Sequence, residues 1–389
     1  MNTTALYFDY AATTPVDERV ISVMVDCLGK SGNFGNPASS GHAFGQEARL
    51  TVERARGQVA GLIGAQASQI VWTSGATESN NLAIKGVAQA RGRHAGGHII
   101  TSRIEHKAVL DTTQHLEEAG FEVTYLDPDA DGLITVEAVR GALRPNTFLV
   151  SLMVVNNELG TVTDIAAVGR LVREHGALFH VDAAQGAGKM PIDLAGLAVD
   201  LMSLSAHKIY GPKGIGALYV GPRAEQRVLA QIHGGGHESG LRSGTLATHQ
   251  IAGMGAAFEL AAQSLPLETV HLARLNARLC EHLAQIPGVN VNGCANSRIP
   301  HTLNLTFSAG DLDLALLGKE LAFSSTSACN SAKNAPSHVL LALGHSAAAA
   351  AQTIRLSIGR YTTEADIDRA ATLIRSAIKA RAFWAVAQS

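Results

Sequence analysis

The sequence predicts an α/β fold, with a large domain built on a mostly parallel sheet and a smaller α+β domain after it. Three observations predict it. Between about residues 70 and 220, short apolar runs alternate with amphipathic helical stretches, the pattern of successive βαβ units. From about residue 258 the alternation gives way to an Ala/Leu-rich helical stretch followed by short strands. The chain has 389 residues, above the usual size of a single core, so two domains are expected.

Taken in order, "QIVWTSGATESNNLAIKGVAQA" reads as strand, tight turn and helix. "GHIITSRIEHKAVLDTTQHLEEAG" repeats that pattern and closes its helix at Gly120. "TFLVSLMVVNNELG" carries a longer apolar strand. In "TDIAAVGRLVREHG", Asp164 is the expected N-cap and Gly176 the stop. "ALFHVDAAQGAG" and "VDLMSLSAHK" supply two more strands. The later region predicts a helix from Phe258 to Leu283 with a break near Pro266. Strands at "TLNLTF" and "TIRLSIGR" follow, with a short helix at Ala347–Ala351 and a last helix from about Thr363.

Composition excludes several classes of function. A formal net charge of -2 gives no electrostatic case for nucleic acid or an anionic membrane as a direct partner. No stretch approaches the ~20 apolar residues of a membrane span. The opening "MNTTALYFDY" lacks a basic segment followed by an apolar one, so no secretory signal is expected. Cys27, Cys280, Cys294 and Cys329 are too scattered for a metal clamp or a redox pair and fit a reducing cytoplasm. The first three read as inert packing residues. His233 and His237 in "HGGGH" sit on a glycine-rich backbone that is no helix face, which argues against a metal site.

Several predicted strands end in reactive side chains. These are Ser74 to Thr77, Glu105-His106, Asn156 to Glu158, Asp182 with Gln185, and Ser205 to Lys208. Ligands of open parallel sheets bind beyond the carboxyl ends of the strands, so these groups should converge on one edge. "TSGATES" sets a small-residue turn at a helix mouth, where free N–H groups and the Thr77 hydroxyl suit a phosphate. It serves equally as an ordinary Ser/Thr cap. Asp182 ends one apolar strand and Lys208 follows a later one. The two would satisfy each other as a buried salt bridge. With a cofactor between them, Lys208 would condense with an aldehyde while Asp182 keeps a pyridine nitrogen protonated, the arrangement pyridoxal phosphate needs.

The ordered series "YFDYAATTP", "GNPASSGHAFG", "TSGATESNNLAIKG", "EHKAVL", "VNNELG", "HVDAAQ", "SAHKIYGPKGIGALY", "HGGGHESGLRSGT", "SSTSACNSA" and "IRLSIGR" resembles the cysteine desulfurases of the class V aminotransferase family over nearly the whole chain. The group it resembles is the iron–sulfur-cluster-assembly type with a long catalytic-cysteine loop. The resemblance implies the fold type I of pyridoxal-phosphate-dependent transferases, with a seven-stranded, mostly parallel sheet. It implies a cofactor-binding domain over 15–257 and a small domain over 258–389, with an N-terminal arm, 1–14, packing on the latter.

It also implies the site. Lys208 would carry the cofactor aldehyde, Asp182 would pair with the pyridine nitrogen and Gln185 with the phenolic oxygen. His106 would stack on the ring and act in proton transfer. Ala76, Thr77, Ser205 and His207 would hold the phosphate, joined by Thr245 from the neighbouring subunit of a homodimer. Asn157 and Arg355 would hold the carboxylate of L-cysteine. Cys329 would attack the substrate sulfur and carry it as a persulfide to an iron–sulfur scaffold or to a tRNA- or DNA-thiolation acceptor. No metal site of the protein's own is implied, only contact of Cys329 with a cluster during transfer. Without the resemblance, His106 also reads as a core histidine and Arg355 as a salt-bridged structural arginine.

Two features depart from the pattern. Ser239 stands where arginine is common, and the sequence stops at "RAFWAVAQS" without an extended tail, so docking of an iron–sulfur scaffold is not implied by these segments. Other class V reactions, such as that of selenocysteine lyase, are the alternative chemistry, and a catalytically silent sulfur-relay partner is the non-enzyme alternative.

Overall fold

The computed structural model describes residues 5–92, 96–308, 310–325 and 336–380. The chain opens with β1 (Leu6–Tyr7), α1 (Glu18–Val25) and α2 (Ala43–Leu62). Strand–helix pairs follow: β2 (Ile70–Thr73) with α3 (Ala76–Ala90), and β3 (His98–Ser102) with α4 (Lys107–Glu118). Next come β4 (Glu122–Leu126) with α5 (Val136–Ala142), and β5 (Thr147–Met153) with α6 (Ile165–His175). The series ends in β6 (Leu178–Asp182), β7 (Leu201–Ser205) and β8 (Gly216–Val220). The ends of α6 show why the local sequence was readable. Asp164 accepts from the Ala167 N–H at 2.9 Å, and Gly176 takes the left-handed conformation at φ 93° that a side chain resists.

These strands form the expected seven-stranded sheet, in the order β2-β8-β7-β6-β5-β3-β4. All its pairings are parallel except those of β8, which runs antiparallel to both β2 and β7. Alternate side chains enter different cores. Trp72, Leu152, Val181 and Leu204 join one with α2 and α6, while Val71, Leu149 and Leu178 pack on the other face with α3 and α4.

One helix departs from expectation. α7 runs from Thr248 to Ala284, so it starts before Phe258 and continues through Pro266. Proline in a helix interior costs ~3 kcal/mol, mainly one lost hydrogen bond and a local clash. Here Ile251, Met254 and Phe258 anchor the first half in one core, and Leu272, Leu275, Leu279 and Leu283 anchor the second half in another. Burying several such side chains, at ~1.5–3 kcal/mol each, outweighs that cost.

The second core is completed by β9 (Val289–Asn292), β10 (Thr302–Phe307), β11 (Gly310–Leu312), α8 (Leu314–Leu317), β12 (Leu321–Ala322) and β13 (Ser324–Ser325). After these come α9 (His338–Ala342), α10 (Ala347–Ala351), β14 (Thr353–Ser357), α11 (Glu364–Ala377) and β15 (Ile378–Ala380). β13, β14, β10 and β9 form an antiparallel sheet in that order, and β1 pairs with β12. The N-terminal segment therefore starts on this second unit. It then crosses to the large sheet, where the Thr14 N–H donates to the His207 carbonyl at 2.9 Å. None of the described helices is long and apolar enough to cross a membrane.

Candidate active site

Because β3, β5, β6 and β7 run parallel, the segments after them emerge on one edge of the sheet. That edge holds a cavity of about 700 Å³. His106, Asn157, Asp182, Gln185, Ser205, His207 and Lys208 line it, together with Ala76 and Thr77 from the mouth of α3 and Arg355 from β14. Of the residues expected at the site, Thr245 is exposed and does not line this cavity. Cys329 lies outside the described residues.

Asp182 is 5% exposed at the end of β6 and keeps two donors, Asn80 Nδ2 at 2.8 Å and the Ala184 N–H at 2.9 Å. The Asn80 carbonyl oxygen is buried and has no partner among the described residues. Beneath Asp182 a polar rung crosses the sheet. His180 bonds Ser151 at 2.8 Å through Nδ1 and Ser203 at 2.9 Å through Nε2. Burial pushes the pKa of His180 down to about 4, so the rung is neutral.

The mouth of α3 also lines the cavity: the helix starts at Ala76 with Gly75 as its N-cap and no capping side chain. Its first N–H groups are thus available to a ligand. Gly75 has φ 153°, and Gly216 of β8 packs so close that an added Cβ would lie 2.6 Å from the Gly75 Cα. The glycines let the backbone wall approach the cavity floor closely. His207 bonds Thr13 Oγ1 through Nδ1 at 3.1 Å. Burial and then the nearby Lys208 push its pKa down to about 4.

Lys208 lines the same cavity and donates to the carbonyls of Ala11 and Ala12, each at 2.7 Å. Gln185 Nε2 donates to the same Ala11 carbonyl at 2.8 Å. His106 caps α4, its Nδ1 accepting from the Ala108 N–H at 3.1 Å. Desolvation by the cavity walls lowers its pKa, which favours a neutral ring with the proton on Nε2.

Arg355 reaches the cavity from the second sheet. Its Nη2 donates to Asp9 Oδ1 at 2.9 Å and to Ser324 Oγ at 2.6 Å, and Nη1 donates to the Asn157 carbonyl at 2.9 Å. Its Nε is buried and has no hydrogen-bond partner among the described residues. The described residues on either side of the Cys329 segment are anchored at this same rim. Ser324 bonds Arg355, Ser337 Oγ donates to Glu158 Oε2 at 2.5 Å, and His338 Nε2 meets the Glu105 carbonyl at 2.9 Å.

Several groups at the site were not singled out from sequence. Asn80 lies one turn into α3, where only the helix mouth had drawn attention. Asp9 meets Arg355 from 346 positions away. Glu105 had been noted only as the neighbour of His106. It is 1% exposed, accepts from Ser102 Oγ at 2.9 Å and from the Met153 N–H at 3.0 Å through Oε1, and its Oε2 has no partner among the described residues. Burial, with Asp182 adding to it, pushes its pKa up to about 8. The folded state therefore holds a proton that the unfolded chain releases above the ordinary glutamate value of 4.5. The contribution is fully present below that value and is lost, at about 1.4 kcal/mol per pH unit, as pH rises towards the folded value. Glu105→Gln keeps the shape without the titration. Denaturant unfolding is expected to show a flatter loss of stability between pH 5 and pH 8 for this variant than for the parent.

The family profile for class V aminotransferases matches residues 6–370. Cysteine desulfurase IscS of Azotobacter vinelandii is 56% identical over 374 residues, covering 96% of this chain and 92% of that one. The chain belongs to the class V aminotransferase family, among its cysteine desulfurases. Solved structures of such desulfurase-like proteins share the fold. A NifS-like protein superposes with a TM-score of 0.87 at 37% identity, over 96% of this chain and 98% of that one. SspA in complex with cysteine gives 0.81 at 42% identity, over 92% and 99%. The class V family is pyridoxal-phosphate-dependent, which suits a cavity with a lysine, a buried carboxylate and an uncapped helix mouth.

Proposed function

We propose that the protein is a cysteine desulfurase that takes sulfur from L-cysteine, releases L-alanine and carries the sulfur as a persulfide on Cys329. The observation that carries this reading is the placement of Lys208 and Asp182 on one cavity in a chain of the cysteine desulfurase family. The residues fit pyridoxal 5'-phosphate. The uncapped mouth of α3 with Ala76 and Thr77, flanked by Ser205 and His207, matches an anionic phosphate, and Thr245 of a second copy would complete it in a homodimer. Asp182, held by Asn80, matches a protonated pyridine nitrogen. When bound, the cofactor supplies a sink for the electrons released at the substrate α-carbon.

The chain's own residues do the rest. Arg355 and Asn157 bind and orient the substrate carboxylate, for which a guanidinium offers a planar fork. Gln185 would offer its N–H to the cofactor's phenolic oxygen. Lys208 would hold the cofactor aldehyde through its amine and would serve as the base for the substrate α-proton, with neutral His106 in the same cavity able to hold or return one. The Cys329 thiolate attacks the substrate Sγ, forming an S–S bond as the Cβ–Sγ bond breaks. The bonding pair stays on carbon, which gains a proton, so alanine leaves and one sulfur remains on Cys329.

An iron–sulfur scaffold is the acceptor that the family group implies, and a tRNA- or DNA-thiolation protein is the other destination. A cytoplasmic homodimer is the proposed working form. Cys329→Ser is expected to reduce alanine release from L-cysteine to background, with dithiothreitol as sulfur acceptor. Release at the parent rate would overturn the assignment.

A further inference from the structure

Lys189 is 7% exposed, and the one side-chain hydrogen bond it makes among the described residues runs from Nζ to Gln185 Oε1 at 2.6 Å. Burying an ammonium without a carboxylate is costly, so its position calls for a reason. The charged and titratable groups around it include Lys208 and His207 after β7, Arg355 on β14, Glu268 on α7 and His301 just before β10. Glu268 already pairs with Arg360 at 3.1 Å, and His301 is buried with an unpartnered Nδ1. Burial first, then the neighbouring Lys208, push the pKa of Lys189 down to about 7.

The partner of Lys189 identifies what it does. The Gln185 amide is held at both ends by groups that leave it one orientation. The Ala11 carbonyl can only accept, which assigns Nε2 to it and leaves Oε1 to take an N–H of Lys189, which has one to give whether charged or neutral. An NH₂ group has two hydrogens, and Gln185 lines the cavity, so the second is left for a ligand there. Without a donor on Oε1 the amide could turn and present an acceptor to the same place.

We propose that Lys189 is a positioning residue for the cofactor, fixing the Gln185 amide with its N–H towards the cavity and placing a positive charge behind it whenever its amine is protonated. This rests on the cofactor site proposed above. A donor aimed at the phenolic oxygen and a cation nearby both disfavour protonation of the cofactor's conjugated system, so their loss raises its titration midpoint.

The test is a pH titration of visible absorbance on holoprotein loaded with pyridoxal 5'-phosphate, for the parent, Lys189→Met and Lys189→Gln. Lys189→Met removes both charge and donor, and its midpoint is expected to rise by about one pH unit. Lys189→Gln keeps an N–H donor and loses only the charge, so it is expected to rise by less. A purely structural lysine would change stability and leave the midpoint in place. Either variant titrating at the parent's midpoint overturns the inference, and if Lys189→Met does not fold, Lys189→Gln decides. A parent that shows no visible band brings down the cofactor reading and this inference with it, an outcome recognisable from the parent alone.

Discussion

Lys208→Ala is expected to lower the rate of alanine formation from L-cysteine by roughly 10⁴-fold, the upper range for losing a catalytic proton-transfer group. The substitution removes the amine that carries the aldehyde and takes the α-proton. It leaves the phosphate end of the cavity intact, since Ala76, Thr77, Ser205 and His207 stay in place. The protein should therefore still bind cofactor, without the covalent link. Folding should also persist, because the Ala11 carbonyl keeps its bond from Gln185. Lys208→Arg sharpens the result. A guanidinium keeps positive charge near the Ala11 and Ala12 carbonyls but is neither a nucleophile nor a base at working pH, so this variant should fail as well. Cofactor content measured beside turnover separates lost chemistry from lost binding. Turnover within tenfold of the parent by either variant would contradict the assignment.

Asp182→Asn is expected to lower kcat by about 10²–10³-fold, comparable to removing one preorganised electrostatic partner from an active site. The amide fills the same space at the end of β6, so packing against Asn80 and Ala184 survives. The negative charge that would keep a pyridine nitrogen protonated is lost. Because the loss falls on the charge that develops during reaction, kcat should fall with little change in KM. The near-neutral rung formed by His180 beneath Asp182 offers no substitute charge. Steady-state kinetics on the cofactor-loaded variant checks this, and an unchanged kcat with a raised KM would contradict it.

What the sequence revealed follows from how far each signal reaches along the chain. α6 was legible because its start and stop signals, Asp164 and Gly176, lie within a dozen residues and act locally. The strands were legible as apolar runs, but their direction was not. β8 looks like its parallel neighbours, since an apolar run of five residues has no polarity of its own. α7 defeated local reading because Pro266 is a local signal overruled by two separate cores.

The site divides the same way. Asp182 and Lys208 stood out because one ends and the other closely follows a largely apolar strand. The partners of these residues did not, because they arrive from distant parts of the chain: Asp9 against Arg355, and the Ala11 carbonyl shared by Lys208 and Gln185. Lys189, in "GAGKMPID", has the surroundings of a surface turn, and only the fold shows that it is buried.

The account depends most on which amine carries the aldehyde. Lys107 and Lys213 also line the cavity, and Lys189 lies beside it, so the chain offers alternatives. Borohydride reduction of the holoprotein, followed by digestion and mass mapping, is expected to place the pyridoxyl label on the peptide containing Lys208. A label on any of the other three lysines, or no label on a protein that binds the cofactor, would contradict it.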